Sequence, residues 1–211
     1  VCSSDLLSGD AGLYAYDGAS FTSLLSDEDG RPQRIRGIWS GSAQSAWVVG
    51  EGGLLRRWTD GTFTSYDRPG GDLLAVSGNH NSDVWVVGEK GRILHWNGET
   101  LFEFLPLTND TLRDVKAVDT NNVWAVGDSG VVLHWNGQQW RLLSSVSHID
   151  FQAVGITNPG KVMVGGQPVL IVEPFLSIPK PVNPTALGQL DRKSTRLNSS
   201  HSSVSRMPSS A

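Results

Sequence analysis

Tryptophan recurs in this chain at a fixed interval. Trp47, Trp85 and Trp124 are 38 and 39 residues apart, and Trp58, Trp96 and Trp135 repeat the same two intervals. Glycine keeps step at Gly50, Gly88, Gly127 and Gly166, and again at Gly53, Gly91 and Gly130. One unit reads ΦxAVxG…DVWVVGxxGxΦLHWNGxxΦ, with Φ apolar. A unit of this size cannot bury its own apolar face, so its copies must stack on one another.

Each unit divides into four short strands. In the clearest unit, Leu73–Gly78 is the first, matched by Asp114–Asp119 and Phe151–Ile156. The second is Asp83–Gly88, matched by Asn122–Gly127. The third is Arg92–Trp96, matched by Val131–Trp135, and the fourth is Thr100–Leu105, matched by Gln138–Leu143. Asn97-Gly98, Asn136-Gly137, Asp60-Gly61 and Asp17-Gly18 stand between third and fourth strands, where such pairs favour a type I′ hairpin turn. The second and third strands are apolar at consecutive positions, whereas a sheet with one wet face alternates. Sheets apolar on both sides fit blades stacked around an axis. The expected fold class is therefore all-β: a β-propeller fragment of four to five four-stranded blades of about 38–39 residues each, forming an open arc.

The two ends do not follow the pattern. Val1–Leu6 (VCSSDL) is the translation of gtg tgc tct tcc gat ct, a run in a sequencing adapter. Asp191–His201 (DRKSTRLNSSH) translates the complementary adapter, and an index with the constant sequence after it accounts for the rest, to Ala211. Residues 1–6 and 191–211 are thus expected to be artefact, with 191–211 disordered, and the remainder a fragment assembled from environmental reads. The expected organisation is blades over residues 7–175 (7–25 partial, 35–70, 73–107, 112–145 and 148–175), then a Pro-rich linker at 176–190. The sole cysteine, Cys2, falls in the artefact, so no disulfide is expected. Residues 7–190 carry 13 basic and 19 acidic side chains, a balance that argues against a nucleic-acid partner. No apolar run reaches the length of a membrane span.

Candidate chemistry is sparse. Asp27, Glu28 and Asp29 before Gly30 resemble part of a calcium loop but lack the further ligands and the terminal Glu that such a loop needs. His95 and His134 share one repeat position, and packing beside Trp96 and Trp135 accounts for them better than catalysis. His80 and His148 have no ligand partners at metal spacing. Core packing accounts for the tryptophans, Trp140 least clearly, since Phe63 and Leu101 or Phe102 replace it elsewhere. No nucleophile elbow, zinc-protease helix or P-loop is present. No catalytic, metal or cofactor residue is assigned, and no cofactor is expected.

Val126–Trp140 (VGDSGVVLHWNGQQW) resembles the VGxxGxIxxTxDGGxTW repeat of sialidase-like propellers, and in particular the Asp-box-related repeats of photosystem II stability and assembly factor-like proteins. It is also similar to the DVWAVG…ILHWDG repeats of secreted or surface proteins of Gram-negative bacteria. The resemblance covers roughly residues 7 to 175. It departs from an Asp box in that the third strand ends LHW and Asn97 or Asn136 stands at the acidic position. It implies a non-catalytic bacterial scaffold, extracellular, periplasmic or on the cell surface, presenting interblade loops to a protein or glycan. The alternative is a fragment of a propeller glycosidase without its catalytic blades. Sialidase activity in that family needs an arginine triad with a Tyr/Glu pair and an Asp. Here Arg31, Arg34, Arg36, Arg56, Arg57 and Arg68 gather in one blade and its flanks.

A segment that never evolved against the core contributes nothing to it. Deleting Asp191–Ala211 should leave the melting temperature unchanged within about 1 °C by calorimetry. A drop of several degrees would show that these residues belong to the fold.

Overall fold

The computed structural model describes residues 5–9, 12–16, 19–25, 33–42, 44–143, 149–158 and 161–166. The chain divides into two units, Val1–Ser177 and Ile178–Ala211, and every described residue lies in the first. Asp17-Gly18, Asp27–Gly30, Arg31, His148, the Pro-rich linker and residues 191–211 lie outside the described set.

The described chain is built from five antiparallel sheets in sequence order. The first blade holds β1 (Asp5–Gly9), β2 (Gly12–Tyr16) and β3 (Phe21–Leu25). The second holds β4 (Ile35–Ser42), β5 (Ser45–Gly50), β6 (Leu55–Thr59) and β7 (Thr62–Ser65). The third holds β8 (Leu73–His80), β9 (Asp83–Gly88), β10 (Ile93–Trp96) and β11 (Leu101–Glu103). The fourth holds β12 (Leu112–Asp119), β13 (Asn122–Gly127), β14 (Val132–Trp135) and β15 (Trp140–Leu143). The fifth holds β16 (Phe151–Asn158) and β17 (Lys161–Gly166). The inner strands β4, β8, β12 and β16 lie side by side, each against the next, and the blades form an open arc. β1 begins at Asp5, so Asp5 and Leu6, assigned to the adapter by sequence, pair with Tyr16 and Ala15. A ladder is made of backbone groups, so residues expected to be adapter-derived can extend it.

The two faces of each second strand belong to different interfaces. Val84 and Val86 pack with Trp47, Val49 and Leu55 of the second blade. Trp85 and Val87, on the other face of the same strand, pack with Leu112, Ala125, Leu133 and Trp140 of the fourth. Trp47, Trp85 and Trp124 are all fully buried at the same place in their blades. Trp96 is buried too, whereas Trp58 and Trp135 are half-buried. Trp140 lies opposite Trp135 on the neighbouring strand and sets its ring edge-on to Trp85, 5.3 Å between centroids, so its counterparts are Leu101 and Phe63 and not Phe102.

Three details differ from the pattern read in the sequence. First, the inner strand begins two residues earlier in the fourth blade. Leu73 and Leu112 face Gly88 and Gly127, which places Asp114 level with Ala75 rather than Leu73. A bulge follows each leucine, at the same place in both blades. Second, among the described residues only Asp60-Gly61 forms a type I′ turn at the third hairpin, with φ of 48° and 85°. Asn97 and Asn136 keep negative φ. Their hairpins have four-residue loops, and their side-chain oxygens accept N–H groups from Glu99 and Thr100 and from Gln138 and Gln139. Third, the type I′ geometry reappears between second and third strands, at Gly52-Gly53, Lys90-Gly91 and Ser129-Gly130, where both central residues have positive φ.

Next to those turns the chain entering each blade crosses tightly. A Cβ on Gly127 would meet the Thr111 carbonyl oxygen at 2.0 Å, and one on Gly88 would meet that of Asp72 at 2.2 Å. Both carbonyls are held by the following residue, since Asp128 and Glu89 donate their N–H groups to Thr111 and Asp72. The periodic glycine is the clearance for this crossing. Gly127→Ala should therefore cost roughly 3 kcal/mol in urea unfolding, the upper part of the usual overpacking range, because backbone atoms stand in the way. Gly155→Ala, with nothing within 4 Å of the added carbon, should stay within about 0.5 kcal/mol. Equal effects would show that the crossing yields.

Candidate functional site

The strand order sorts the loops between two rims. The second-to-third turns and the interblade connections share one rim, called upper here. The first-to-second and third-to-fourth loops share the lower rim. Two sets of polar side chains stand out, one buried within each blade and one along the upper rim.

The buried set is built on the second strand. Asp83 and Trp85 point to the same face because strand side chains alternate. His95 lies directly across on β10 and stacks on Trp85, 3.8 Å between centroids and 11° from parallel. Asp83 Oδ1 accepts from Trp85 Nε1 at 2.9 Å and meets His95 Nε2 at 2.6 Å, while Oδ2 accepts from Asn79. The fourth blade repeats the arrangement with an amide. Asn122 Oδ1 accepts from Trp124 Nε1 at 2.8 Å and meets His134 Nε2 at 3.0 Å, and His134 stacks on Trp124. An indole N–H can only donate, so Asn122 presents its oxygen and His134 donates from Nε2. The histidines thus stack on Trp85 and Trp124, not on the expected Trp96 and Trp135. The lone charges are handled locally. Burial alone would raise the pKa of Asp83, but the hydrogen bond and charge of His95, with bonds from Asn79 and Thr120, hold it below the ordinary carboxylate value. His134 is pushed down by burial first and by the charge of Arg141 second.

The upper rim is held by charged clamps. Arg113 pairs with Asp128, and Arg36 with Glu51. Arg56 makes a forked pair with Asp67. Arg92 is buried, donating to Glu103 of its own blade and to the carbonyls of Arg68 and Gly71 in the preceding connection. Turn N–H groups reach the next blade, Gly52 to Asp72 and Ser129 to Asp150. Arg34 lies near Glu51, and Arg68 donates to the carbonyls of Tyr66 and Asp67. Of the arginines that cluster in the sequence, Arg34 and Arg36 thus share Glu51, Arg56 holds Asp67 and Arg68 binds backbone carbonyls. Gly53, Gly91 and Gly130 stand at the turns themselves. Among the described residues no group of three or more His, Cys, Asp or Glu side chains is placed to hold a metal ion.

No family model and no curated protein sequence matches the chain. Solved structures do. A structure described as YCF48 bound to D1 peptide matches with a TM-score of 0.52 at 18% identity, over 64% of this chain and 48% of that one. YCF48 from Cyanidioschyzon merolae matches with a TM-score of 0.55 at 15% identity, over 77% of this chain and 63% of that one. The extracellular domain of the putative one component system BT4673 from B. thetaiotaomicron matches with a TM-score of 0.57 at 14% identity, over 77% of this chain and 25% of that one. The chain therefore spans less than two thirds of each of these proteins. At such identities the likeness is one of fold. The chain is a β-propeller repeat protein resembling YCF48 in fold, and the resemblance to photosystem II stability factor-like repeats holds at that level. No helix among the described residues is long and apolar enough to cross a membrane.

The two buried sets differ at Asp83 against Asn122, and across from the histidine, where Arg141 stands in place of Phe102. His134 is now held below its ordinary value, so its contribution to stability is complete above about pH 6.5 and falls as pH drops toward the folded value. Asn122→Asp would place a carboxylate against the ring and raise the His134 pKa by about 1 or more, measured by NMR titration of the ring proton. The sign of the pH dependence then reverses, with stability lost as pH rises through the new folded value. An unchanged titration would show that residue 122 does not face the imidazole.

Proposed function

We propose that this chain is a non-catalytic propeller scaffold whose upper rim receives an extended, acidic peptide segment of a protein partner. One observation carries the proposal. In the connection after β11, Leu105 is 91% exposed and Leu107 is 46% exposed, with Pro106 between them. This apolar pair is held out on a pinned backbone: Phe104 N–H donates to the Ile93 carbonyl, and Asp110 N–H to Thr108 Oγ1. Exposed Arg68 and Lys90 share the same rim and supply positive charge. Loops positioned by a rigid scaffold are the usual place for recognition, and an aliphatic anchor with a charged surround is the pattern of a protein interface.

The fold neighbour described as bound to a peptide supports a protein ligand over a glycan. The neighbour described as an extracellular domain supports a bacterial, secreted or surface-associated setting. The absence of catalysis is supported by what several titratable groups already do: Asp83 and His95 are committed to each other, to Trp85 and to Asn79, and Arg56 and Arg113 to Asp67 and Asp128.

The test is selection of extended peptides from a random display library on the purified chain, with affinities by fluorescence polarisation. Enriched sequences should combine acidic and apolar residues. Leu105→Asp with Lys90→Glu should weaken them at least about tenfold without shifting the melting temperature by more than about 2 °C. Undiminished binding by the double variant would overturn the assignment of the rim. Enrichment on a glycan array without any on peptides would overturn the class of partner, and turnover of aryl glycosides would overturn the scaffold itself.

A further inference from the structure

We infer that the second blade holds a small monovalent anion, of chloride or bromide size, between Ser45, Trp47 and Arg57. This is independent of the upper-rim proposal. The argument is a comparison of equivalent positions. Trp47 lies directly across from Arg57 as Trp85 does from His95 and Trp124 from His134. Ser45 stands two residues before Trp47, where the other blades place Asp83 and Asn122. Those two side chains each offer one oxygen to the indole N–H and the cross-strand ring nitrogen together. Serine is too short to do so.

The consequence is visible in the unpartnered groups. Ser45 Oγ, Trp47 Nε1 and Arg57 Nε are all buried without a hydrogen-bond partner. Ser45 is 4% exposed and Trp47 fully buried. Two of the three atoms can only donate, and the hydroxyl can rotate to donate as well. Arg57 makes no ion pair among the described residues, and its guanidinium lies 5.7 Å from the Trp47 ring centre and 5.6 Å from that of Trp96. Three donors and a positive charge thus occupy the strand positions at which the neighbouring blade gathers Asp83, Trp85 and His95. A water there would have to place two protons of its own, and only Ser45 Oγ could accept one. An anion has no such need. The room left by replacing Asp with Ser is about 20–30 Å³, close to one water's share of volume and enough for a halide.

Thermal unfolding of the purified chain in sodium chloride and in sodium gluconate, at equal ionic strength, tests this. Chloride should raise the melting temperature by roughly 3–6 °C for each tenfold excess over its Kd, and gluconate, too large for the site, should not. Ser45→Asp brings its own oxygen to the position. It should abolish the difference and melt in gluconate at or above the wild type. Bromide soaked into crystals of the wild type should give an anomalous peak within about 3.5 Å of Trp47 Nε1. This arm decides the matter if Ser45→Asp fails to fold. Equal melting in the two salts, an equal chloride effect in Ser45→Asp, or an ordered water without anomalous signal would each overturn the site.

Discussion

Sheet-on-sheet burial is the constraint on which the other features depend. β9 places Val84 and Val86 against one neighbour and Trp85 and Val87 against the other. A strand apolar on both sides has no solvent face, so its sheet is stable only between two others. That requirement fixes the repeat period, because every blade must offer surfaces of the same shape to both sides. It also explains the tryptophans. Each fills the gap between sheets about 10 Å apart, a distance that smaller side chains span only in groups.

Packing of this kind leaves two polar problems, and side chains reaching from one blade to the next solve both. The inner strands have an edge with no further strand beside it, so their N–H groups need partners. Ser77 Oγ accepts from Ala117 N–H of the next blade, and Asp114 Oδ2 accepts from Val154 N–H. The service has a cost in the second case: burial raises the pKa of Asp114 above its usual value, more than the bonds from Val154 and Val115 lower it. Its charged form is therefore a net expense as pH rises through that value, opposite in sign to Asp83. At the upper rim the connections carry carbonyls past the turns, and buried Arg92 collects two of them.

Much of this was legible in the sequence, because the repeat compares the chain with itself. The spacing of Trp47, Trp85 and Trp124 gave both the blade and its buried centre. Gly88 and Gly127 marked a turn, but their reason for being glycine, a carbonyl of the entering strand 2.0–2.2 Å from a would-be Cβ, is a tertiary contact that spacing alone cannot show. The Asn-Gly hairpins misled because the dipeptide rule presumes a two-residue loop, and here the loop is four residues and the asparagine works through its side chain. The pairing of Asp83 with His95 carried a readable signal. Asp83 and Asn122 recur at 39 residues, as do His95 and His134, and in the second blade both partners change together, to Ser45 and Arg57.

That double change can be weighed. Three blades use one geometry with three charge arrangements: carboxylate with histidine, amide with histidine, and hydroxyl with arginine. In the last, a buried donor without a partner costs about 1–3 kcal/mol, and Trp47 Nε1 and Arg57 Nε are two of them. Against this stands an aromatic cluster, of the kind that the next interface builds from Trp85, Phe104 and Trp135. Trp47, Tyr66 and Trp96 meet at centroid distances of 5.3–5.5 Å, with Arg57 over two of the rings. Aromatic pairs contribute about 0.5–1.5 kcal/mol each beyond their area, and a half-buried cation such as Arg57 over a ring about 1–2 kcal/mol. The two sides are of similar size, so the interface holds with its donors unserved. An acceptor arriving between them adds stability to a blade that does not need it to fold, which is the energetic condition for a binding site rather than a structural ion.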